Sequence, residues 1–312
     1  MIIAFFETKP EERAFFEAHL KGQTLHFFDG TIQDELKESA DYEAVSVFVH
    51  SRITDEVLKK LPKLRYLQTR STGYDHIKCP ALYRRGLLVS NVAGYGGPAV
   101  AEFAFSLLLN ATRHTWKALH RAKEGFFGYQ DLKGTELFGK RIGILGLGTI
   151  GQRMAYIAKG FGMEISAWSR TEKPIIEALG IDFTSLEAVL QKSDVVMIAL
   201  PLTPATERLI DAQKASLLKK EAIVVNVARG EILAKELYTR LPHLLCLDVT
   251  ADPACIPRPN VLYTPHMAYY TREALQRILE ISLKNLEAFL AGEPLPNCLK
   301  LACERDYASK QA

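Results

Sequence analysis

One stretch constrains the fold of this chain more than any other: Arg141-Ile142-Gly143-Ile144-Leu145-Gly146-Leu147-Gly148-Thr149-Ile150-Gly151. An apolar run suited to a buried strand leads into Gly-x-Gly-x-x-Gly, and a helix start follows. In a dinucleotide-binding turn the first glycine, Gly146, makes the tight bend. The second, Gly148, lets the backbone approach a pyrophosphate, and the third, Gly151, lets helix and strand pack closely. The helix opening at Thr149 and Ile150 presents N–H groups and a positive dipole end to the phosphates. The run begins near residue 141, so the long segment before it must form a separate structural unit.

A chain of 312 residues has room for two domains, each with its own core. With 48% hydrophobic and 24% charged residues it is globular rather than disordered. A net charge of +3 over the whole length is too weak to make nucleic acid or an anionic membrane the main partner. The start, Met1 to Glu7, is apolar but short; it has no basic region and no cleavage site, so it reads as a strand and not a signal peptide. No apolar run approaches the ~18 residues of a membrane span. The five cysteines, Cys79, Cys246, Cys255, Cys298 and Cys303, are odd in number and irregular in spacing. That fits reduced thiols in a cytoplasmic protein. Neither Cys-x-x-Cys nor His-Glu-x-x-His occurs, and no metal site is expected.

The first third alternates short apolar runs (residues 2–6, 45–49, 64–69 and 87–90) with amphipathic stretches at 11–20 and 54–61, a βαβ pattern. Pro98 opens one long helical segment, residues 99 to about 123. After the glycine turn a second series gives candidate strands at 142–145, 164–168, 195–200, 223–226, 244–247 and 261–263. Helices are expected near Thr149, Ser185, Asp211, Leu233 and Thr271, the last ending at Gly292 with Pro294 beyond. Six strands with interposed helices complete a doubly wound dinucleotide domain.

The second strand of that series carries the information on nucleotide type. A carboxylate commonly ends it and hydrogen-bonds the ribose hydroxyls of NAD. Here residues 164–168 run into Ser169-Arg170-Thr171, with Lys173 nearby and no acid at the strand end. A carboxylate would repel a 2′-phosphate, whereas Arg170 can pair with it and Ser169 can donate to it. We therefore expect NADP(H) rather than NAD(H), with NAD(H) as the alternative.

Polar residues cluster at later strand ends: Asn226-Val227-Ala228-Arg229-Gly230, Asp248-Val249-Thr250-Ala251-Asp252 and Thr264-Pro265-His266-Met267-Ala268-Tyr269-Tyr270. An arginine directly after an apolar strand is placed for an anionic substrate. Together with Arg70-Ser71-Thr72-Gly73-Tyr74-Asp75, Asn91-Val92-Ala93-Gly94-Tyr95, Val100-Ala101-Glu102-Phe103-Ala104 and Leu200-Pro201-Leu202-Thr203-Pro204-Ala205-Thr206, these runs resemble the D-isomer-specific 2-hydroxyacid dehydrogenase family, in the family's order and over nearly the full length. The end around His266 is similar to the D-lactate dehydrogenase branch. The end of the strand at Trp168-Ser169-Arg170 is similar to NADP-using glyoxylate and hydroxypyruvate reductases.

The resemblance implies two doubly wound parallel-sheet α/β domains: a discontinuous, flavodoxin-like substrate domain, residues 1–98 completed by 272–312, and a Rossmann cofactor domain, 99–271, with catalysis in the cleft between them. It implies that Arg229 binds the carboxylate of a 2-oxoacid and that backbone N–H groups of Thr72 and Gly73 hold its other oxygen. His266 would then give a proton to the ketone oxygen as hydride arrives from the nicotinamide. Tyr95 and Tyr269 are candidate pocket residues. Leu200, Pro201, Thr206, Val227 and Ala228 would line the cofactor, and Asp248 would face its carboxamide.

The chain departs from the family pattern at the acid that orients the histidine. A glutamate is usual five residues beyond the position of Asp248; here Pro253 stands there, and Asp252 is the nearest carboxylate. A one-residue deletion would align Asp252 with that glutamate, on a shortened segment between Arg229 and His266. The expectation is a reductase of small 2-oxoacids such as glyoxylate, hydroxypyruvate or pyruvate, forming a homodimer through the helix after Pro98. The alternative is a non-catalytic dinucleotide-sensing protein of the corepressor kind.

Overall fold

The computed structural model describes residues 1–77, 82 and 85–299, so Cys79 and Cys303 lie outside the described residues. The chain divides into two compact units: Met1–Tyr95 with the segment from Arg272 onward, and Gly96–Thr271. The first break falls at Tyr95 rather than Pro98. Gly96 caps the helix Gly97–Arg113, and Val100, Ala104 and Phe105 of that helix share a core with Met154, Ala155 and Ala158 of the second unit.

The first unit is a five-stranded parallel sheet: β1 (Ile2–Phe5), β2 (Thr24–Phe27), β3 (Ala44–Val47), β4 (Tyr66–Thr69) and β5 (Leu88–Ser90), in the order β2-β1-β3-β4-β5. This is the flavodoxin-like winding. Every residue of β3 and β4 is buried, as a parallel strand covered on both faces requires. Strand β2 is absent from the sequence expectation. It lies at the sheet edge, and its four residues alternate exposed and half-buried, so it carries no continuous apolar run.

The helix Arg272–Ala291 belongs to this unit because its apolar face completes the sheet's core. Leu279, Leu283, Leu286 and Phe289 pack with Ile3, Phe5, Phe16 and Tyr66. The Tyr66 and Phe289 rings stack at 4.6 Å, an arrangement that contributes about 1 kcal/mol beyond area burial. The helix stops at Gly292, whose φ of 72° suits glycine. The chain then returns to β5, where the Leu299 N–H donates to the Val89 carbonyl (2.8 Å).

The second unit is a seven-stranded parallel sheet: β6 (Arg141–Leu145), β7 (Glu164–Trp168), β8 (Asp182–Phe183), β9 (Val195–Ile198), β10 (Ile223–Asn226), β11 (Leu244–Leu247) and β12 (Val261–Tyr263). Its order is β12-β11-β10-β9-β6-β7-β8. The reversal between β6 and β9 is the switch point of a doubly wound dinucleotide fold. Both units thus have the fold class the sequence predicts. The seventh strand, β8, is only two residues long and leaves no periodic signal.

Two helical expectations are corrected. The single helix from residue 99 to about 123 is two helices, Gly97–Arg113 and Thr115–Lys123, broken at His114 with φ 52°. The Thr112 carbonyl accepts from the Thr135 N–H (2.8 Å), so a distant segment terminates the first helix. Near Leu233 there is no regular helix. A 3-10 turn covers Gly230–Ile232; the Ile210 N–H then donates to the Ile232 carbonyl (3.1 Å) and the Ala234 N–H to the Ile210 carbonyl (3.0 Å), which pairs Leu233 with Ile210 as a bridge, and the α-helix covers only Leu237–Arg240. Among the described residues no helix is long and apolar enough to cross a membrane.

Candidate active site

The glycine turn at the carboxyl end of β6 fits a dinucleotide. Gly146 has φ 100°, its N–H donates to the Trp168 carbonyl (2.8 Å), and a side chain there would meet the Ala199 carbonyl oxygen at 2.8 Å. A Cβ at Gly151 would collide with the Gly146 carbonyl oxygen itself. At Gly148 the same test finds nothing within 4 Å. Gly148 and Thr149 are exposed and Ile150 is half-buried, at the start of the helix Thr149–Gly160. The first N–H groups of that helix have no intrahelical acceptor, and the dipole favours an anion there. Two glycines are thus demanded by packing, while Gly148 keeps open the space that a bound pyrophosphate needs.

At the end of β7, Ser169 is half-buried and Arg170 and Thr171 are exposed. Arg170 makes no ion pair among the described residues, and no carboxylate stands at the strand end. The loop after β9 contains Leu200, buried, and Pro201, exposed. The Thr206 hydroxyl donates to the Pro201 carbonyl (2.6 Å) and accepts from the Thr203 N–H (2.8 Å), so it serves the shape of its own loop.

Arg229 follows β10 in extended conformation and is half-buried. The wholly buried Asn226 shapes this turn: its Nδ2 donates to the Arg229 carbonyl (2.9 Å) and its Oδ1 accepts from the Ala228 N–H (3.1 Å). Val227 and Ala228 are buried between them. The backbone of Thr250 and Ala251 presses on Gly230 so closely that no side chain fits there. The buried Tyr238 hydroxyl donates to the Gly230 carbonyl (2.7 Å), and burial raises its pKa well above the usual phenol range. Sequence reasoning passed over Asn226 and Tyr238. A buried asparagine at the end of an apolar strand was the available signal for the first; nothing local marks the second.

The loop after β12 carries His266, exposed, with φ 52°. This left-handed conformation costs a non-glycine residue about 1–3 kcal/mol unless its surroundings over-determine it. Asp248 bonds to this loop on both sides of the histidine. It is fully buried, its Oδ1 accepts from the Thr264 hydroxyl (2.7 Å) and the Met267 N–H (2.9 Å), and its Oδ2 accepts from the Ala268 N–H (2.9 Å). The His266 N–H donates to the Asp248 carbonyl (3.0 Å). The Tyr269 ring stands edge-on to the imidazole at 6.2 Å, which brings Tyr269 to the histidine.

Asp252 does not join them. Its carboxylate accepts from the Ala254 N–H (3.2 Å) and caps the short turn Pro253–Cys255, and it makes no other hydrogen bond or ion pair among the described residues. No hydrogen bond or ion pair joins Asp252 to His266 in the structure. The adjacent Pro253 starts a 3-10 turn whose free N–H groups attract the nearest carboxylate.

In the first unit, Thr72 and Gly73 follow β4. The Thr72 hydroxyl donates to the Val92 carbonyl (2.7 Å), and Asn91 Nδ2 donates to the Thr72 carbonyl (2.7 Å). Beneath the loop, Arg70 is fully buried and donates to the carbonyls of Phe6 (2.8 Å) and Glu7 (2.9 Å); burial lowers its pKa. Tyr95 is buried, and its carbonyl accepts from Arg277 Nε (2.8 Å).

A glycine turn of this geometry at the switch point of a doubly wound sheet, with an arginine and a strained histidine on later strand ends, defines a dinucleotide-dependent α/β protein. Residues 105–268, more than half of the chain, match the model of the D-isomer specific 2-hydroxyacid dehydrogenase NAD binding domain. The chain is 36% identical to a glyoxylate reductase of Thermococcus kodakarensis over 84% of each protein. Among solved structures it is similar to D-lactate dehydrogenase from Aquifex aeolicus complexed with NAD and lactic acid (30% identity, TM-score 0.85, 93% of this chain and 96% of that one). It is also similar to the acyclic imino acid reductase Bsp5 in complex with NADPH and D-Arg (26%, TM-score 0.86, 96% and 100%). The chain belongs to the D-isomer specific 2-hydroxyacid dehydrogenase family. It is a 2-hydroxyacid oxidoreductase that uses a nicotinamide dinucleotide.

Proposed function

We propose that this protein is an NADP(H)-preferring reductase of small 2-oxoacids such as glyoxylate, hydroxypyruvate or pyruvate. The observation that carries the cofactor preference is Arg170, an exposed guanidinium at the end of β7 with no ion-pair partner among the described residues, the nearest acid in sequence, Glu172, lying past the strand end. Its planar fork matches a 2′-phosphate, and Ser169 and Thr171 add hydroxyl donors. Gly146, Gly148, Thr149, Ile150 and Gly151 would hold the pyrophosphate. Leu200, Pro201, Val227 and Ala228 would flank the rest, and Thr206 would act by shaping the Pro201 loop.

When bound, the nicotinamide supplies a hydride to the substrate ketone. Arg229 binds the substrate carboxylate through paired N–H groups, its backbone fixed by Asn226. Thr72 and Gly73 keep the assignment their motif gives them, backbone donors to a carboxylate. His266 gives its proton to the ketone oxygen, and in the reverse direction takes it from the hydroxyl. A panel of 2-oxoacids with NADPH and NADH, followed by nicotinamide absorbance, tests this reading. Tight dinucleotide binding with no turnover on any acid would refute it.

We further infer that the protein pairs with a second copy through the second unit. Trp116, Leu119, Phe126, Phe127 and Tyr129 expose 49% or more of their surface, an unusual run of large apolar side chains for a free surface. The segment bearing the last three is pinned: Arg121 makes a bidentate pair with Asp131 (2.5 and 2.7 Å), and Lys117 joins it (2.9 Å). These contacts hold the carboxyl of Asp131 far below the usual carboxylate range.

A further inference from the structure

We propose that Asp248 is the positioning residue of the proton donor: its buried carboxylate holds the loop that keeps His266 in the left-handed conformation. The proposal rests on the reading of His266 as that donor.

Four hydrogen bonds run from this one residue to the five-residue stretch 264–268. Thr264 lies before the histidine, and Met267 and Ala268 lie after it. His266 itself donates to the Asp248 carbonyl. Further backbone bonds reach the loop, from the Thr264 N–H to the Leu247 carbonyl (2.9 Å) and from the Tyr270 N–H to the Met267 carbonyl (2.8 Å), but the Asp248 carboxylate is bonded on both sides of His266. Pro265 has no N–H and restricts Thr264 to extended conformations, and no helix or sheet ladder runs through residues 265–268. A residue at φ 52° inside such a segment stays there only when its neighbours are held on both sides. A fully buried carboxylate is suited to do this. Its charge must be met by donors, and bonds to an ionised acceptor are short and strong.

Asp248 is itself anchored. Its N–H donates to the Asn226 carbonyl (2.9 Å), and the Asn226 side chain brackets the Ala228–Arg229 turn. One short backbone bond therefore ties the arginine turn to the histidine loop. This role differs from contact with the nicotinamide carboxamide, which the sequence pattern assigns to Asp248, and from orientation of the imidazole by a second carboxylate.

The test compares Asp248→Asn, Thr264→Val, Thr264→Ser and His266→Asn with the parent protein. An asparagine can still accept from Thr264 and Met267, but its amide nitrogen then meets the Ala268 N–H, donor against donor. Asp248→Asn is expected to lower kcat by about 10²-fold with glyoxylate or pyruvate, the effect of an ångström-scale misplacement. NADPH affinity, read from nicotinamide fluorescence, should stay within about twofold, because the lost interaction belongs to the chemical step. Thr264→Val should lower kcat less, and Thr264→Ser should restore it. The imidazole proton resonance missing from His266→Asn should move in Asp248→Asn and Thr264→Val.

Unchanged kcat and an unmoved resonance in both variants would overturn the proposal. So would a loss of NADPH affinity that accounts for the fall in activity, since Asp248 would then be a cofactor contact. If Asp248→Asn does not fold, the Thr264 pair decides. Full kcat in His266→Asn would instead remove the proton-donor reading, whatever the Asp248 and Thr264 variants show.

Discussion

The carbonyl oxygen of Gly146 occupies the place where a side chain on Gly151 would begin. The helix Thr149–Gly160 can lie against the end of β6 only because Gly151 has no Cβ. Gly151→Ala should therefore destabilise the protein by about 3 kcal/mol, the upper range for overpacking. Gly148→Ala meets no neighbour and has φ −73°, so it should leave stability nearly unchanged and weaken dinucleotide binding instead. Urea unfolding and dinucleotide titration of the two variants separate these effects; equal stability of both would contradict the packing argument.

The 2′-phosphate reading is tested at Arg170. Replacing it with alanine should raise the KM for NADPH by about tenfold, the worth of one exposed charge-assisted pair, with the KM for NADH little changed. A parent enzyme that turns over faster with NADH than with NADPH would sink the preference.

Asp252 caps its own turn, and asparagine caps as well as aspartate. Asp252→Asn should thus keep the pH profile of reduction in place. Asp252→Ala should cost about 1 kcal/mol of stability through loss of the cap. A downward shift of the pH optimum in the asparagine variant would restore Asp252 as the orienting acid.

Asp194 links β6 to β9. Burial alone would raise its pKa, but Lys219 Nζ (2.8 Å) and the Arg141 N–H (2.8 Å) outweigh that and set it below the usual value. A depressed carboxyl stabilises the folded state above the unfolded pKa of about 3.9, and the contribution is lost as pH falls through the folded value. Asp194→Asn should therefore destabilise by about 1 kcal/mol near pH 7, modest because the pair is partly exposed. The difference from the parent should shrink below about pH 4. Denaturant unfolding at the two pH values checks this.

The exposed aromatic surface predicts its own disruption. Phe127, 83% exposed, contributes almost nothing to the fold of one chain. Phe127→Asp should leave the thermal unfolding of dilute protein unaltered and shift sedimentation from a dimer toward a monomer. A parent chain that sediments as a monomer would end the proposal.

Much of the fold was legible because buried parallel strands are continuous apolar runs. β1, β3 and β6 announce themselves that way, and the glycine spacing fixes the turn after β6. Strands β2 and β8 were not legible: one is half-exposed at a sheet edge, the other is two residues long. Arg229 and His266 stood out as polar residues after apolar strands. The partner of the histidine loop did not, because Asp248 and Asp252 are equivalent as letters and differ only in what surrounds them.

By itself the sequence determined where the chain must bend tightly, which strands are buried and which nucleotide turn they feed. Those properties follow from Cβ sterics and from local hydrophobic pattern. Only the tertiary structure decided that the helix after Pro98 breaks at His114, that Asp252 turns to Ala254, and that Asp248 bridges Asn226 to the loop of His266. Each of these depends on donors and acceptors brought together from distant parts of the chain. A buried carboxylate takes whichever unpaired N–H groups the fold places beside it.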